Sequence, residues 1–220
     1  MEAHLNITDE MKKFVPISGV IGIVGALLIL ISDVIYNAFG GDVFGNLLYL
    51  PTYIGVFCFP FWWGGIWVIY QGMKPAGFVW SFIPCLLFGY LVSTVNTAGH
   101  ASYPYVAAFT LLKSSSNLDV VNAAILVESM TLSYTGPFLS VIQPILEVIV
   151  CVWVMIPILM GRTVFPRWVL LLVPLTPTLI LLAINGVFPG ILEMAGPYIG
   201  SGCMLLLFAV ATGIVVKAME

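Results

Sequence analysis

Charged side chains are scarce in this sequence. Lys, Arg, Asp and Glu make up 8% of the 220 residues, whereas hydrophobic residues make up 61%. A soluble domain carries about 25% charged residues, which it needs to cover a surface in contact with water. A soluble globular fold is therefore excluded, and most of the surface is expected to face lipid hydrocarbon. The composition predicts an integral membrane protein of the all-α class.

Positive charge and cysteine are also sparse. Seven Lys and Arg residues are scattered along the chain, the net charge is -3, and there are four cysteines. No basic patch for nucleic acid and no polybasic segment for anionic headgroups is present, so no nucleic-acid partner is expected. The cysteines lie in separate apolar stretches without paired spacing, which indicates neither a disulfide framework nor a zinc site. A bis-histidine haem would need two histidines within the membrane. We therefore expect no cofactor and no metal.

Six apolar segments approach the length of about 20 residues that a bilayer core requires. They are residues 14–36, 51–70, 77–98, 137–160, 167–185 and 196–217. The first is too long for the apolar region of a signal peptide, so we expect it to be retained as a membrane helix. The whole chain, residues 1–220, is predicted to form a single transmembrane domain in the cell membrane, either the inner membrane of a bacterium or its equivalent.

The segment 99–136 decides the topology. It is partly apolar but contains Pro104, Glu128 and the run KSSSN. If it does not cross, six of the seven Lys and Arg residues share one side, which the positive-inside rule makes cytoplasmic together with both termini. If residues 119–135 form a seventh span, this bias almost disappears. Six spans are favoured, with 99–136 as a helical hairpin on the outer side that acts as a lid, a re-entrant element or a homodimer contact.

Small residues recur at every fourth position of the first span. Ser18, Gly22 and Ala26 fall on one helix face. Such a face lets another membrane helix approach closely. Helix packing, rather than ligand binding, is the function that this pattern predicts.

Two carboxylates lie within predicted spans. An ionisable side chain inside the bilayer costs at least about 2.5 to 3.5 kcal/mol, so each one needs a partner or a wet cavity. Glu147 is ten residues into the fourth span and therefore near the midplane, with no Lys or Arg at that depth. Asp33 is near the outer end of the first span, on the face of Ala26. For either residue, the alternative to a functional role is a structural one: a hydrogen bond for Glu147 and an interfacial position for Asp33.

A polar stripe follows the third span. Ser93, Asn96, His100 and Tyr103 are spaced by three, four and three residues, which places them on one helix face. Imidazole can act as an acid, a base or a proton relay near neutral pH, although a histidine at a membrane boundary is also often only an interfacial residue. Ser201 lies at a similar depth in a Gly-Ser-Gly sequence. A Ser–His dyad is thus geometrically allowed, and a packing notch is the alternative.

The outer ends of the predicted helices carry most of the polar candidates, which favours one outward-opening pocket with Glu147 at its floor. The predicted catalytic residues are His100, Glu147, Asn96 and Asp33, and the predicted substrate-binding residues are Tyr103, Glu128, Asn185, Glu193 and Ser201.

Three functions are consistent with this pocket. The first is an enzyme that applies acid/base chemistry to an uncharged, lipid-like or hydrophobic substrate. The second is a proton-coupled carrier or binding protein for a hydrophobic or cationic small molecule, with Glu147 as the protonation switch. The third is a structural or assembly subunit. One-sided placement of the polar groups favours the enzyme, because alternating access needs a central site that both faces reach. The expected partners are membrane lipid and a hydrophobic small molecule.

Overall fold

The regular elements in the described part of the chain are helices. The computed structural model describes residues 9–43, 49–91, 112–113, 115–137 and 143–220. The α-helices are α1 (Asp9–Val43), α2 (Tyr49–Met73), α3 (Phe78–Leu91), α4 (Leu118–Pro137), α5 (Gln143–Leu159), α6 (Leu175–Val187) and α7 (Ile191–Met219). Two 3₁₀ helices, Lys74–Ala76 and Arg167–Leu172, precede α3 and α6. The all-α prediction is confirmed for the described part of the chain.

Within the described ranges, three helices are long and apolar enough to cross a membrane. The qualifying stretches are Glu10–Asn37 in α1, Tyr53–Ala76, which includes most of α2, and Tyr198–Met219 in α7. Three further helices, α3, α5 and α6, are apolar but shorter. The structure is therefore compatible with a membrane protein.

The first two helices touch through glycine. A Cβ atom on Gly22 of α1 would lie 2.5 Å from the Cα atom of Gly65 of α2, and a Cβ atom on Gly64 would lie 2.4 Å from the Ser18 carbonyl oxygen. With no side chains between them, the two backbones gain dispersion contacts along the crossing. Since Ser18 is near the start of α1 and Gly64 near the end of α2, the helices run antiparallel. The close approach predicted for this face is confirmed, and Ala26 is fully buried.

The last helix, α7, also packs antiparallel to α1. Thr212, near the end of α7, lies against Gly19, near the start of α1. At the opposite end, Ser201 of α7 forms a hydrogen bond with Asp33 of α1. The first, second and last helices thus form a three-helix core.

The remaining bundle helices, α3 and α5, pack on each other beside α2. Trp80 of α3 meets Trp153 of α5 edge-on, with ring centroids 6.4 Å apart. The Trp63 ring of α2 lies against Gly89 of α3. Because a glycine faces the indole, the ring fits between the two helices.

A narrow apolar cavity of about 30 Å³ lies where α2, α3, α5 and α7 meet. The thiols of Cys85 and Cys151 are part of its lining. A cavity of this size has room for water but offers it no polar partner, so we expect it to be dry. All four cysteines of the chain are buried free thiols.

The segment 167–185, predicted as one continuous span, is divided in the structure. Residues Arg167–Leu172 form a 3₁₀ helix, Val173 is extended with ψ of 126°, and α6 begins at Leu175. Pro174 explains this break, because a proline ring disfavours the helical conformation of the preceding residue. The α6 helix has 13 residues.

The loop after α5 closes the end of α2. Gly161 leaves α5 with φ of +66°, the left-handed conformation that a helix C-terminus commonly adopts. The Val164 amide then donates to the Gly72 carbonyl at 3.0 Å, and the Phe165 ring lies against Gly72. This loop therefore lies at the end of the bundle where α1 begins and α2 ends.

Positive charge collects at that same end, which we call the basic end. Six of the seven Lys and Arg residues are there: Lys12 and Lys13 at the start of α1, Lys74 after α2, Arg162 and Arg167 around the loop, and Lys217 in the last turn of α7. The described acidic side chains at the basic end are Glu10 and Glu220. The packing thus gathers charges that are far apart in the sequence.

The α4 helix follows a turn. The Asn117 side-chain oxygen accepts the Asp119 amide at 3.0 Å, so Asn117 caps the helix. Lys113, before the turn, forms an ion pair with Glu128, about three turns into α4. Among the described residues, most α4 side chains are exposed, and this helix makes few contacts with the others.

Gln71 is a buried polar side chain without a partner. It is fully buried in α2, and neither its amide oxygen nor its nitrogen has a hydrogen-bond partner within the described part of the protein. Leaving a buried amide unsatisfied costs about 1 to 3 kcal/mol. We expect Gln71→Leu to raise the free energy of unfolding by an amount of this order, measured by thermal unfolding in detergent.

Ser32→Ala is the matched control for this substitution. Ser32 is as completely buried as Gln71, but its hydroxyl donates to the Pro51 carbonyl at 2.8 Å. Its removal is expected to lower stability by about 1 kcal/mol. If Gln71→Leu destabilises the protein as well, the amide must bind a water or ligand on which the fold depends.

Candidate functional site

Two of the predicted site residues, Asp33 and Ser201, meet in the structure. Asp33 lies on α1 about 6 Å before Asn37, where the candidate span ends, and it is 9% exposed. Ser201 lies on α7 and is 5% exposed. Its hydroxyl donates a hydrogen bond to the Asp33 carboxylate. A carboxylate–hydroxyl pair therefore joins the first and last candidate spans at the end of the bundle opposite the basic end.

The Ser201 hydroxyl has a second acceptor within reach. Its oxygen lies 3.4 Å from the Tyr198 carbonyl, one turn earlier in α7. A hydroxyl has one proton and donates it to one acceptor at a time. Rotation about a single side-chain bond therefore adds or removes one hydrogen bond at the Asp33 carboxylate.

Neighbouring polar groups hold this end of α1 in place. The Ser32 hydroxyl bonds the Pro51 carbonyl, which ties α1 to the start of α2. The Asn37 side-chain amide nitrogen donates to the Asp33 carbonyl, one turn earlier in α1, at 2.8 Å. The Asp33 backbone is thus fixed independently of its side chain.

Glu147 lies on a different part of the bundle. It is half-buried on α5, a helix that packs mainly on α3. The described part of α5 begins at Gln143, so Glu147 is in its second turn. Cys151, one turn later in α5, lines the narrow cavity. Glu147 is therefore adjacent to the interior of the bundle.

Asn185 organises a turn between helices. Its side-chain oxygen accepts the amides of Gly190 at 3.2 Å and Leu192 at 3.1 Å. Gly190 has φ of +97°, a conformation that favours glycine. These contacts fix the turn from α6 into α7 and account for Asn185 without a ligand.

The two remaining outer carboxylates lie at the surface. Glu193 is exposed in the first turn of α7, where the helix dipole favours a negative charge. Glu128 is engaged in the ion pair with Lys113. The described contacts do not bring either of them to Asp33.

Three predicted site residues, Asn96, His100 and Tyr103, lie outside the described residues. The predicted Ser–His dyad and the polar stripe therefore remain predictions. Gln71, by contrast, is a polar residue within a predicted helix that the sequence analysis did not select. Its spacing of seven from Gly64, on the close-packed face of α2, is the signal that could have identified it.

No group of three or more His, Cys, Asp or Glu side chains that could hold a metal occurs within the ranges that the structure describes. The chain matches no protein-family model, no curated protein and no solved structure. Function must therefore be inferred from the side chains and their contacts.

Proposed function

We propose that the chain crosses the cell membrane six times, with both termini in the cytoplasm. The shared location of six cations at the basic end supports this topology, because cytoplasmic loops carry an excess of Lys and Arg. Helices α2 and α7 both run antiparallel to α1, which is consistent with this topology. The apolar character of α3, α5 and α6 is consistent with it as well. The segment containing Lys113 and α4 then lies on the outer side.

Cysteine labelling tests this topology. The native thiols are buried, so a membrane-impermeant maleimide should react only with an introduced cysteine. We expect Ser116→Cys to react in intact cells and Lys217→Cys to react only after permeabilisation. If both cysteines react in intact cells, residues 119–135 form a seventh span and the proposed topology is wrong.

We infer that the Asp33–Ser201 pair is the centre of an enzyme that acts by acid/base chemistry on an uncharged, hydrophobic substrate. The observation that carries this proposal is a carboxylate buried near the end of a membrane-length helix and bonded to a hydroxyl on another such helix. A buried charge is costly in a membrane and most often serves a function. Its location at one end favours a site that opens to one side only.

The chemistry open to this pair is proton transfer. The Asp33 carboxylate can accept a proton from a substrate hydroxyl or from Ser201, and the carboxylic acid so formed can return it. The Ser201 hydroxyl can rotate so that it donates to the Tyr198 carbonyl instead, which removes its hydrogen bond from the Asp33 carboxylate. His100, Asn96 and Tyr103 are proposed to complete the site from the third span.

Mass spectrometry of small molecules that copurify in mild detergent tests the site. We expect wild type to retain a hydrophobic species that Asp33→Asn loses. Asp119→Asn is the control, because it makes the same chemical change at an exposed carboxylate of α4. If all three preparations carry the same bulk lipids, the pocket is absent and the structural-subunit alternative gains support.

A proton-coupled carrier is the second candidate, favoured by the position of Glu147 beside cavity-lining Cys151. An enzyme converts the retained species into a new product in detergent, and Asp33→Asn abolishes the conversion. A carrier leaves the species unchanged and moves it into vesicles in response to a pH gradient, and Glu147→Gln abolishes the movement. The two outcomes are mutually distinguishable with the same purified protein.

A further inference from the structure

A large apolar groove lies on the bundle surface near the basic end. It has a volume of about 550 Å³, within the range of about 300 to 1,000 Å³ that is usual for small-molecule sites. Helices α1, α2 and α3 form its walls. The side chains that determine its character are Phe14, Trp63, Trp67, Tyr70, Phe82 and Leu86. These walls suit a hydrocarbon chain rather than a polar ligand.

The packing of α2 explains why the groove exists. Gly64 brings α2 against the Ser18 backbone of α1, so the larger side chains of α2 are displaced to either side of that contact. On the α3 side, the Trp63 indole lies against Gly89 and holds the two helices apart. The Tyr70 and Phe82 rings meet edge-on, with centroids 5.9 Å apart, beneath the basic end. A channel remains between these two aromatic contacts.

A cation lies over the basic end of this groove. The Lys74 ammonium is 5.2 Å from the centroid of the Tyr70 ring, a groove-lining side chain. Lys13 is exposed and directly precedes Phe14, another lining residue. Glu10 is the described carboxylate nearest in the chain to Lys13, one turn earlier. The groove therefore combines an apolar channel with positive charge at one end.

We propose that this groove binds an anionic phospholipid, with one acyl chain in the channel and the phosphate at Lys74. The charge of the rim favours the anionic headgroup, since a zwitterionic lipid gains the same apolar contacts but its own headgroup cation offsets the attraction of its phosphate to the lysine. The sequence did not predict this lipid site, because its Lys and Arg residues are scattered along the chain. Lys74 and Lys13 are 61 residues apart and converge only because α1 and α2 are antiparallel.

Quenching of tryptophan fluorescence by brominated lipid tests the proposal, because Trp63 and Trp67 line the groove. The protein is reconstituted into phosphatidylcholine vesicles in which an increasing minor fraction of the lipid is either brominated phosphatidylglycerol or brominated phosphatidylcholine. One lysine near an anionic headgroup is worth about a fivefold preference. We expect wild type to bind phosphatidylglycerol about fivefold more tightly, and Lys74→Gln to bind both lipids equally.

Lys217→Gln is the matched control. It removes the same charge at the same end, but from α7, which contributes no side chain to the rim of the groove. It should keep the preference for phosphatidylglycerol, and Trp63→Phe/Trp67→Phe should lose the excess quenching by phosphatidylglycerol over phosphatidylcholine, while exposed Trp168 is still quenched equally by both lipids. Equal quenching by both lipids in wild type overturns the proposal. A preference that survives in Lys74→Gln overturns it as well.

Discussion

Gly22→Ala is expected to leave little folded protein in detergent. The added Cβ atom would lie 2.5 Å from the Gly65 Cα atom. The obstacle is the backbone of α2, so no side chain can rotate away and the two helices must separate. Overpacking a core costs about 1 to 3 kcal/mol where side chains adjust, so we expect at least about 3 kcal/mol here. Thermal unfolding and size-exclusion chromatography measure the loss.

Gly213→Ala is the matched control for this substitution. Gly213 lies on α7, and no atom comes within 4 Å of the position its Cβ would take. Alanine is favoured over glycine within a helix by about 0.8 to 1.0 kcal/mol, so this variant should be slightly more stable than wild type. Equal melting temperatures for the two variants would contradict the close packing of α1 and α2.

Ser201→Ala should destabilise the protein only while Asp33 is present. A hydrogen bond to a charged group contributes about 1.5 to 3 kcal/mol, and removing the donor leaves the buried carboxylate with one partner fewer. We therefore expect Ser201→Ala to cost about 2 kcal/mol in wild type. In an Asp33→Leu background the same change should cost less than about 0.5 kcal/mol.

The four proteins of this double-mutant cycle are compared by thermal unfolding in one detergent. Ser129→Ala serves as the control, because the Ser129 hydroxyl donates to the Leu126 carbonyl on the exposed α4 helix. Its small effect should be the same with and without Asp33. Additive effects of Ser201→Ala and Asp33→Leu would show that the two side chains do not interact.

The helical class and the α1 contact face were predictable because each follows from local composition. Long apolar stretches must satisfy their backbone groups internally in lipid, which leaves helices as the structure available to them. Ser18, Gly22 and Ala26 share a face whatever the partner is, so their spacing predicts close approach without identifying α2. Asp33 was a predicted site residue for the same reason, since its cost in the membrane does not depend on its neighbour.

Features that depend on how helices pair were not predictable. Nothing in the sequence shows that Ser201 would meet Asp33, because that depends on which helices are neighbours. The division of residues 167–185 was overlooked because an apolar stretch was expected to form one span, although Pro174 marks the break. The substrate-binding role of Asn185 stays a prediction, and the sequence did not show that its side-chain oxygen accepts two backbone amides at the α6–α7 turn.

The pairing of α1 with α7 imposes an order on biosynthesis. The α1 helix is synthesised before α2 and α7 and can pair with α2 through glycine as soon as residue 65 has been made, but Ser201 follows only some 136 residues later. Until α7 has been made, the Asp33 carboxylate lacks the hydrogen bond from the Ser201 hydroxyl. If the chain spans the membrane as proposed, we expect chains that terminate before α7 to be less stable there than the finished protein, because their Asp33 carboxylate lacks the Ser201 hydroxyl.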